Sequence, residues 1–242
     1  MKNLGAAIAM GLALVITAII AVNGIKQRND YNDTIVVTGL GKKDFVSDLI
    51  VWSGSFSRLE MSLKDAYTKL DSDREIIRKY FVEKGVQETD LIFSAVDILK
   101  DYEYEYLQNG NSNRIFRGYR MSQTVKIESG EVDKVENISR EVTELINQGV
   151  EFNSNAPQFY YTGLSDLKHE MISAATEDGR LRAERIAENA NAKLGNLKEA
   201  SMGVFQIIAQ NSNEDYSWGG TYNTFAKKKT ATITMRLEFA IE

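Results

Sequence analysis

Near the C-terminus Ala231, Ile233, Met235, Leu237, Phe239 and Ile241 alternate with Thr232, Thr234, Arg236 and Glu238. A strand of that period has one dry and one wet face, so it belongs to an antiparallel sheet covered on a single side. The pattern recurs upstream, where Tyr119, Met121, Val125 and Ile127 alternate with Arg120, Ser122, Thr124, Lys126 and Glu128. A single proline, Pro157, argues against a loop-dominated chain. The absence of cysteine removes disulfides, thiolate catalysis and thiolate metal sites.

Helical periods fill the space between these strands. Residues 33–40 and 45–57 read as strands separated by a tight turn at Gly39-Leu40-Gly41-Lys42-Lys43. A helix is expected over 62–84, with Leu63, Ala66, Tyr67, Leu70, Ile77 and Phe81 as its buried stripe and Gly85 beyond its end. Asp73 and Arg74 interrupt that stripe, which predicts a half-exposed middle. Residues 91–106 and 114–128 form a long hairpin about the turn-rich 108–113. A second helix at about 131–148 uses Val135, Ile138, Val142 and Leu145 and stops at Gly149. A short strand at 158–162 leads to the longest helix, capped by Ser165 and reaching about Leu194. Its stripe of Ala175, Gly179, Ala183, Ala187 and Ala190 permits close approach to a neighbour, and Gly195 reads as its C-terminal cap. The last hairpin pairs 200–209 with 230–241 across the loop 211–223. The plan of helix, glycine, strand, polar loop and alternating strand thus occurs twice, at 62–128 and 165–241. The expected fold is α+β, with two similar halves (about 34–128 and 129–242) of antiparallel sheet with helices on one face.

Residues 4–25 carry no charge. At ~1.5 Å per residue a helix of that length crosses the ~30 Å hydrocarbon core of a bilayer. It is longer than the ~7–15-residue apolar core of a secretory signal, and Val22-Asn23-Gly24 is a poor processing site. Residues 1–25 therefore read as a signal anchor or transmembrane helix, with a cleaved signal peptide as the alternative, and 26–33 as a polar linker. The net charge of -5 and the lack of a basic patch make nucleic acid an unexpected partner.

Little in the chain reads as catalytic. The Gly39–Lys43 stretch lacks the spacing of a phosphate loop. His169, the single histidine, sits in the first turns of a helix without a second imidazole or a nucleophile elbow. The carboxylates are those of solvated faces. No catalytic, metal or cofactor-binding residues are therefore expected. Two aromatic groups stand out as oligomer or ligand contacts. Tyr102, Tyr104 and Tyr106 share one strand face, with Glu103 and Glu105 on the other. Trp218 and Tyr222 lie in a glycine-bearing loop.

Four features together resemble the SIMPL-domain family of exported bacterial envelope proteins. Ile35-Val36-Val37-Thr38-Gly39-Leu40-Gly41 followed by Asp48 is similar to its opening strand, G-x-G and later acid. Tyr102 and Gly118-Tyr119 resemble its central hairpin, and Gly149 followed by Phe159 its helix-glycine-strand step. The Ala-rich run 174–194, ending Asn191-Ala192-Lys193-Leu194-Gly195, is similar to its long helix. Ser47 stands where the family commonly has proline, and Gly179 where alanine is usual. The resemblance covers about 33–242 and implies a SIMPL-like domain over 34–242. It further implies export, assembly into large ring-like or barrel-like homo-oligomers, and a role linked to oxidative stress, with no established catalytic residues. The expected protein is thus a non-enzymatic periplasmic homo-oligomer held at the inner membrane, with a structural or stress-protective role. The alternative is a periplasmic binding module for a peptide or small ligand, soluble if the leader is cleaved.

Overall fold

Two antiparallel sheets, each with helix packed on one face, make up a mixed α+β fold. The computed structural model describes residues 10–22, 24, 33–106, 112–215 and 217–241. Helix α1 (residues 10–22) is followed by strands β1 (Thr34–Val46) and β2 (Leu49–Glu60) and helix α2 (Leu63–Glu83). Strands β3 (Leu91–Phe93), β4 (Asp97–Tyr106) and β5 (Ser112–Ser129) come next, then helix α3 (Val132–Glu141). Short strands β6 (Phe152–Ser154) and β7 (Gln158–Tyr160) precede helix α4 (Leu164–Asn189). Strands β8 (Leu194–Met202), β9 (Gln206–Ala209) and β10 (Lys228–Ile241) complete the order. Helix α1 is exposed, and among the described residues no helix is long and apolar enough to cross a membrane. The rest of the uncharged run 4–25, residue 24 apart, lies outside the described residues.

Both sheets follow one plan. A long central strand (β10 or β5) is flanked on one side by an N-terminal strand (β1 or β2) and on the other by a strand in two pieces (β8 with β9, or β4 with β3). Helix α4 lies over β1 and β10, and α2 lies over β2 and β5. The division into halves at about residue 128 does not follow the sheets. Consecutive strands usually pair, but the chain turns at Ser47-Asp48 and sends β1 to β10 and β2 to β5. One sheet therefore gathers 34–46 with 194–241, and the other is built from 49–160.

Trp52, Phe81 and Phe152 centre the core under α2 and α3, with Trp52 and Phe81 edge to face at 5.6 Å. The Trp52 indole donates to the Asn155 carbonyl at 3.0 Å, so its one polar atom is satisfied inside the core. Helix α2 begins as expected, with the Ser62 hydroxyl accepting from the Asp65 amide. Its buried stripe differs from expectation. Leu63 and Tyr67 are exposed, whereas Asp73 is buried. The fork of Arg58 on β2 reaches both Asp73 oxygens at 2.5 and 2.6 Å and the Gly149 carbonyl at 2.7 Å. A buried carboxylate persists here because a planar guanidinium neutralises it at bidentate geometry.

The core of the other sheet is thinner. Ile35, Val37, Ile233, Met235, Leu237 and Phe239 face Leu167, Met171, Ala175, Ala183 and Ala187 of α4. The small stripe does bring helix and strand close, and it ends at Ala187; Ala190 is exposed at the helix end. The Gly39–Lys43 stretch is not a turn. β1 runs straight through it, pairing Gly39 with Met235 and Gly41 with Ile233. A β-carbon on Gly39 would lie 2.0 Å from the Ala175 carbonyl oxygen and 2.5 Å from the Gly179 nitrogen. One on Gly41 would lie 2.4 Å from the Met171 carbonyl oxygen. The missing side chains let α4 rest on the strand itself.

Other boundaries move for local reasons. The second strand runs from Leu49 to Glu60, displaced by the turn at Ser47-Asp48. The expected strand 91–106 breaks at 94–96, where the Ser94 hydroxyl accepts from the Thr124 amide and its carbonyl from Gln123. The expected helix 131–148 is α-helical only to Glu141 and tightens to a 3-10 helix over Val142–Gln148 before the left-handed Gly149. Helix α4 starts one residue before Ser165, with Gly163 as N-cap and no side-chain cap. It ends at Asn189, where Asn191 supplies the left-handed residue (φ 57°). Gly195 lies inside β8, where a β-carbon would stand 3.0 Å from that of Ala240.

The Gly39 contact makes a sharp prediction. Gly39→Ala meets the main chain of α4 and is expected to cost about 3 kcal/mol or more in urea denaturation, the upper range for overpacking. Gly179→Ala meets the side-chain end of Leu237 at 2.7 Å and main chain, that of Gly39, only at 3.4 Å. It also gains up to ~1 kcal/mol of helix propensity, so its cost is expected to stay under about 1.5 kcal/mol.

Candidate interaction surface

The strand pair β4–β5 outgrows its sheet. β2 ends at Glu60, opposite Tyr119, and α2 starts at Leu63. Beyond that point residues 101–106 and 112–118 continue as a two-stranded ribbon, with no third strand among the described residues. The register slips between Asp101 and Tyr102, so Asp101 faces Gly118 and Tyr102 faces Phe116. Gly118 takes φ +137°, and a β-carbon there would lie 2.4 Å from the Glu60 carbonyl oxygen. The bulge increases the local twist of the ribbon and places Phe116 and Tyr119 on the same face.

That face is an aromatic ladder. Tyr102 meets Phe116 at 5.5 Å and Phe116 meets Tyr119 at 5.3 Å, both edge to face. The Arg114 guanidinium lies 3.5 Å from the Tyr102 ring centroid. Tyr104 extends the row with 55 % of its surface exposed. Tyr106 closes β4, and its side chain lies outside the described residues. The other face carries Glu103 bonded to Arg117 at 2.5 Å and Asp101 bonded to Arg120 at 2.6 Å. Where the ladder meets the body, Ser62, Leu63, Lys64, Tyr67, Ile98 and Met121 line a depression of about 600 Å³. Leu63, Tyr67 and Ile98 are exposed beside it. Tyr102 and Tyr104 therefore share a face, and that face continues the one which α2 covers further along.

Trp218 and Tyr222 do not form one site. Gln206, buried under the loop, donates from its amide nitrogen to the Ser217 carbonyl at 2.6 Å and accepts from the Thr221 amide at 2.7 Å. This pins the turn and leaves Trp218 99 % exposed above a depression of about 580 Å³ that Leu40, Val204, Thr232 and Thr234 help to line. Tyr222 lies against the body of the domain with 38 % of its surface exposed. Its hydroxyl accepts from the Tyr161 amide and its ring lies against Tyr160 at 6.3 Å, between the two sheets.

The Asp48 carboxylate also joins the sheets. Its carboxylate accepts from the Thr162 amide at 2.8 Å and from the Thr162 hydroxyl at 2.7 Å, while its own amide donates to the Tyr160 carbonyl. The Ser47 amide donates to the Lys227 carbonyl, and the buried Ser47 hydroxyl has no partner among the described residues. Lys227 bonds both Asp133 and Glu136 of α3. His169 is exposed on α4, and among the described residues no group of three or more acidic or imidazole side chains is arranged to hold a metal.

Sequence reasoning missed Arg58 with Asp73, Phe116 with Arg114, and Lys229. Each left a trace. Asp73 falls between Leu70 and Ile77 on the buried side of α2, and Phe116 lies three residues from Tyr119, out of step with the alternation that follows. Lys229 carried only the weaker signal of a cation on the inward side of β10. It is fully buried, donating to the Asn223 and Ala226 carbonyls.

With this geometry in hand, the comparison with known families is direct. The family model described as SIMPL, protein of unknown function (DUF541), matches residues 35–239, and the chain belongs to that family. No curated protein matches it.

Lys229 yields a pH prediction. Burial pulls its ammonium down to about 8 from an ordinary 10.5. Between those values the unfolded chain binds a proton here that the folded protein has lost, so stability rises with pH across the window. The difference in melting temperature between wild type and Lys229→Met should change in favour of wild type from pH 8 to 10 and stay level below pH 7. Subtracting the variant cancels the titration of all other groups.

Proposed function

We propose that this chain is a non-enzymatic protein of the bacterial cell envelope that homo-oligomerises through its SIMPL domain, with a structural or stress-protective role. Residues 4–25 hold it at the inner membrane with the domain in the periplasm, an assignment supported by their length and lack of charge. The observation that carries the oligomer is the β4–β5 ribbon. An uncovered two-stranded ribbon is at best marginally stable in water. This one presents aromatic and arginine side chains of the kind enriched in protein interfaces. A second copy laid on Tyr102, Tyr104 and the depression at Leu63, Tyr67 and Ile98 supplies the missing cover. The anchor confines copies to one plane and raises their effective concentration, so modest contacts suffice. The exposed position of the lone histidine supports a role without acid–base or nucleophilic chemistry.

Light scattering on the full-length protein in detergent tests this. Wild type is expected as a defined multimer, and a monomer across the micromolar range rejects the reading. Joint replacement of Tyr102, Tyr104 and Tyr106 by Ser should weaken the assembly at least a hundredfold, about 2.7 kcal/mol, while the circular dichroism spectrum is retained. Loss of the fold in that variant would instead place the ladder in the core.

A further inference from the structure

The first sheet has an open edge. Strand β1 pairs with β10 on one side, and among the described residues no strand lies on its other side. In an antiparallel pair the hydrogen-bonding residues alternate. The Ile241 amide donates to the Asp33 carbonyl and the Ser47 amide to the Lys227 carbonyl, so the odd-numbered residues of β1 face β10. The even-numbered residues Val36, Thr38 and Leu40 must turn their amides and carbonyls outward. The Leu40 amide confirms the parity, since it donates away from β10 to the Asp178 carboxylate of α4 at 2.8 Å.

Asp178 thus closes the edge at Leu40 and leaves the stretch from Thr34 to Thr38 open. The open stretch is not bare. Because Gly39 lets α4 rest directly on β1, the later turns of the helix overhang the strand, and Arg182, Arg185 and Ile186 line a groove with Val37 and Thr38. Arg182 is held by Asp178 at 2.9 Å. Arg185 is exposed and has no side-chain partner among the described residues. On the opposite face of the sheet Val36 and Leu40 are 47 % and 45 % exposed. Main-chain donors and acceptors, an unpaired guanidinium above them and an apolar row below form one continuous strip.

We infer that this edge is a strand-addition site for an extended acidic peptide segment. The segment pairs with the main chain of Val36 and Thr38, sets a carboxylate against Arg185 on the helix side and lays apolar side chains beside Val36 and Leu40. Main-chain bonds of this kind supply affinity and the alternating side chains supply specificity. The bidentate fit of guanidinium to carboxylate supplies the charge preference. A second copy of β1 fits less well, because a symmetric edge pairing brings like-charged arginines of the two helices toward each other. The site is independent of the ribbon, which belongs to the other sheet.

The test uses the full-length protein in detergent and a fluorescent eight-residue peptide of alternating Val and Glu. A Lys-for-Glu peptide and a peptide N-methylated at alternate residues serve as comparisons. Wild type is expected to bind the Glu peptide at least tenfold tighter than either comparison, with slowed hydrogen exchange at the Val36 and Thr38 amides. Arg185→Glu should reverse the order of the Glu and Lys peptides. Thr38→Pro removes an outward amide while sparing every bond to β10, and proline is tolerated on an edge; it should lose at least tenfold in binding with an unchanged melting temperature. If Thr38→Pro unfolds the chain, the N-methylated peptide carries the same test. Equal affinity for the Glu and Lys peptides overturns the inference, as does undiminished binding of the N-methylated peptide. Protection of Val36 and Thr38 that grows with protein concentration in the absence of peptide also overturns it, assigning the edge to a second copy.

Discussion

The main-chain contact between β1 and α4 underlies most of this architecture. With Gly39 and Gly41 beneath Ala175, Gly179 and Met171, helix and strand approach as closely as their backbones allow. The thin core of that sheet is a consequence, since alanines fill the interface where the other sheet uses Trp52, Phe56 and Phe81. The contact also fixes where α4 lies across the edge of the sheet. It puts Asp178 on the Leu40 amide, and Arg182 and Arg185 over the residues before it.

The two sheets meet where the chain turns at Ser47-Asp48. The main-chain bonds of Ser47 and Asp48 carry the β1–β10 and β2–β7 pairings up to the turn, and the Asp48 carboxylate on Thr162 and the bonds from Lys227 to α3 tie the two sheets together. Tyr222 and the buried Lys229 complete the joint. An acidic residue a few positions after G-x-G therefore has a structural role here: it accepts two hydrogen bonds that hold the connection between sheets. The exposed features lie away from this joint, the ribbon in one sheet and the β1 edge in the other.

Much of the secondary structure is legible because its signals are local. The alternation in β5 and β10, the start of α2 near Ser62 and the stop at Gly149 each depend on a few neighbouring residues. G-x-G is ambiguous for a physical reason. A tight turn and a close backbone approach both require the absence of a β-carbon, and only the partner distinguishes them. Gly195 was misplaced on the same grounds. Asp73 read as a break in an apolar stripe because its neutralising Arg58 comes from another element. The tyrosines of β4 were legible as sharing a face, but the bulge that adds Phe116 to their ladder depends on Glu60 passing over Gly118.

By itself the sequence determined the class of most elements, their order and the sidedness of the long strands. Those follow from period, capping and composition, which act over a few residues. Tertiary structure alone decided that β1 and β2 part at Ser47 and that glycines in a strand seat a helix. It also decided that the ribbon outruns its cover and that the Val36–Thr38 edge stays open. Each of these depends on which distant segment fills the space beside a residue, and no local pattern carries that information.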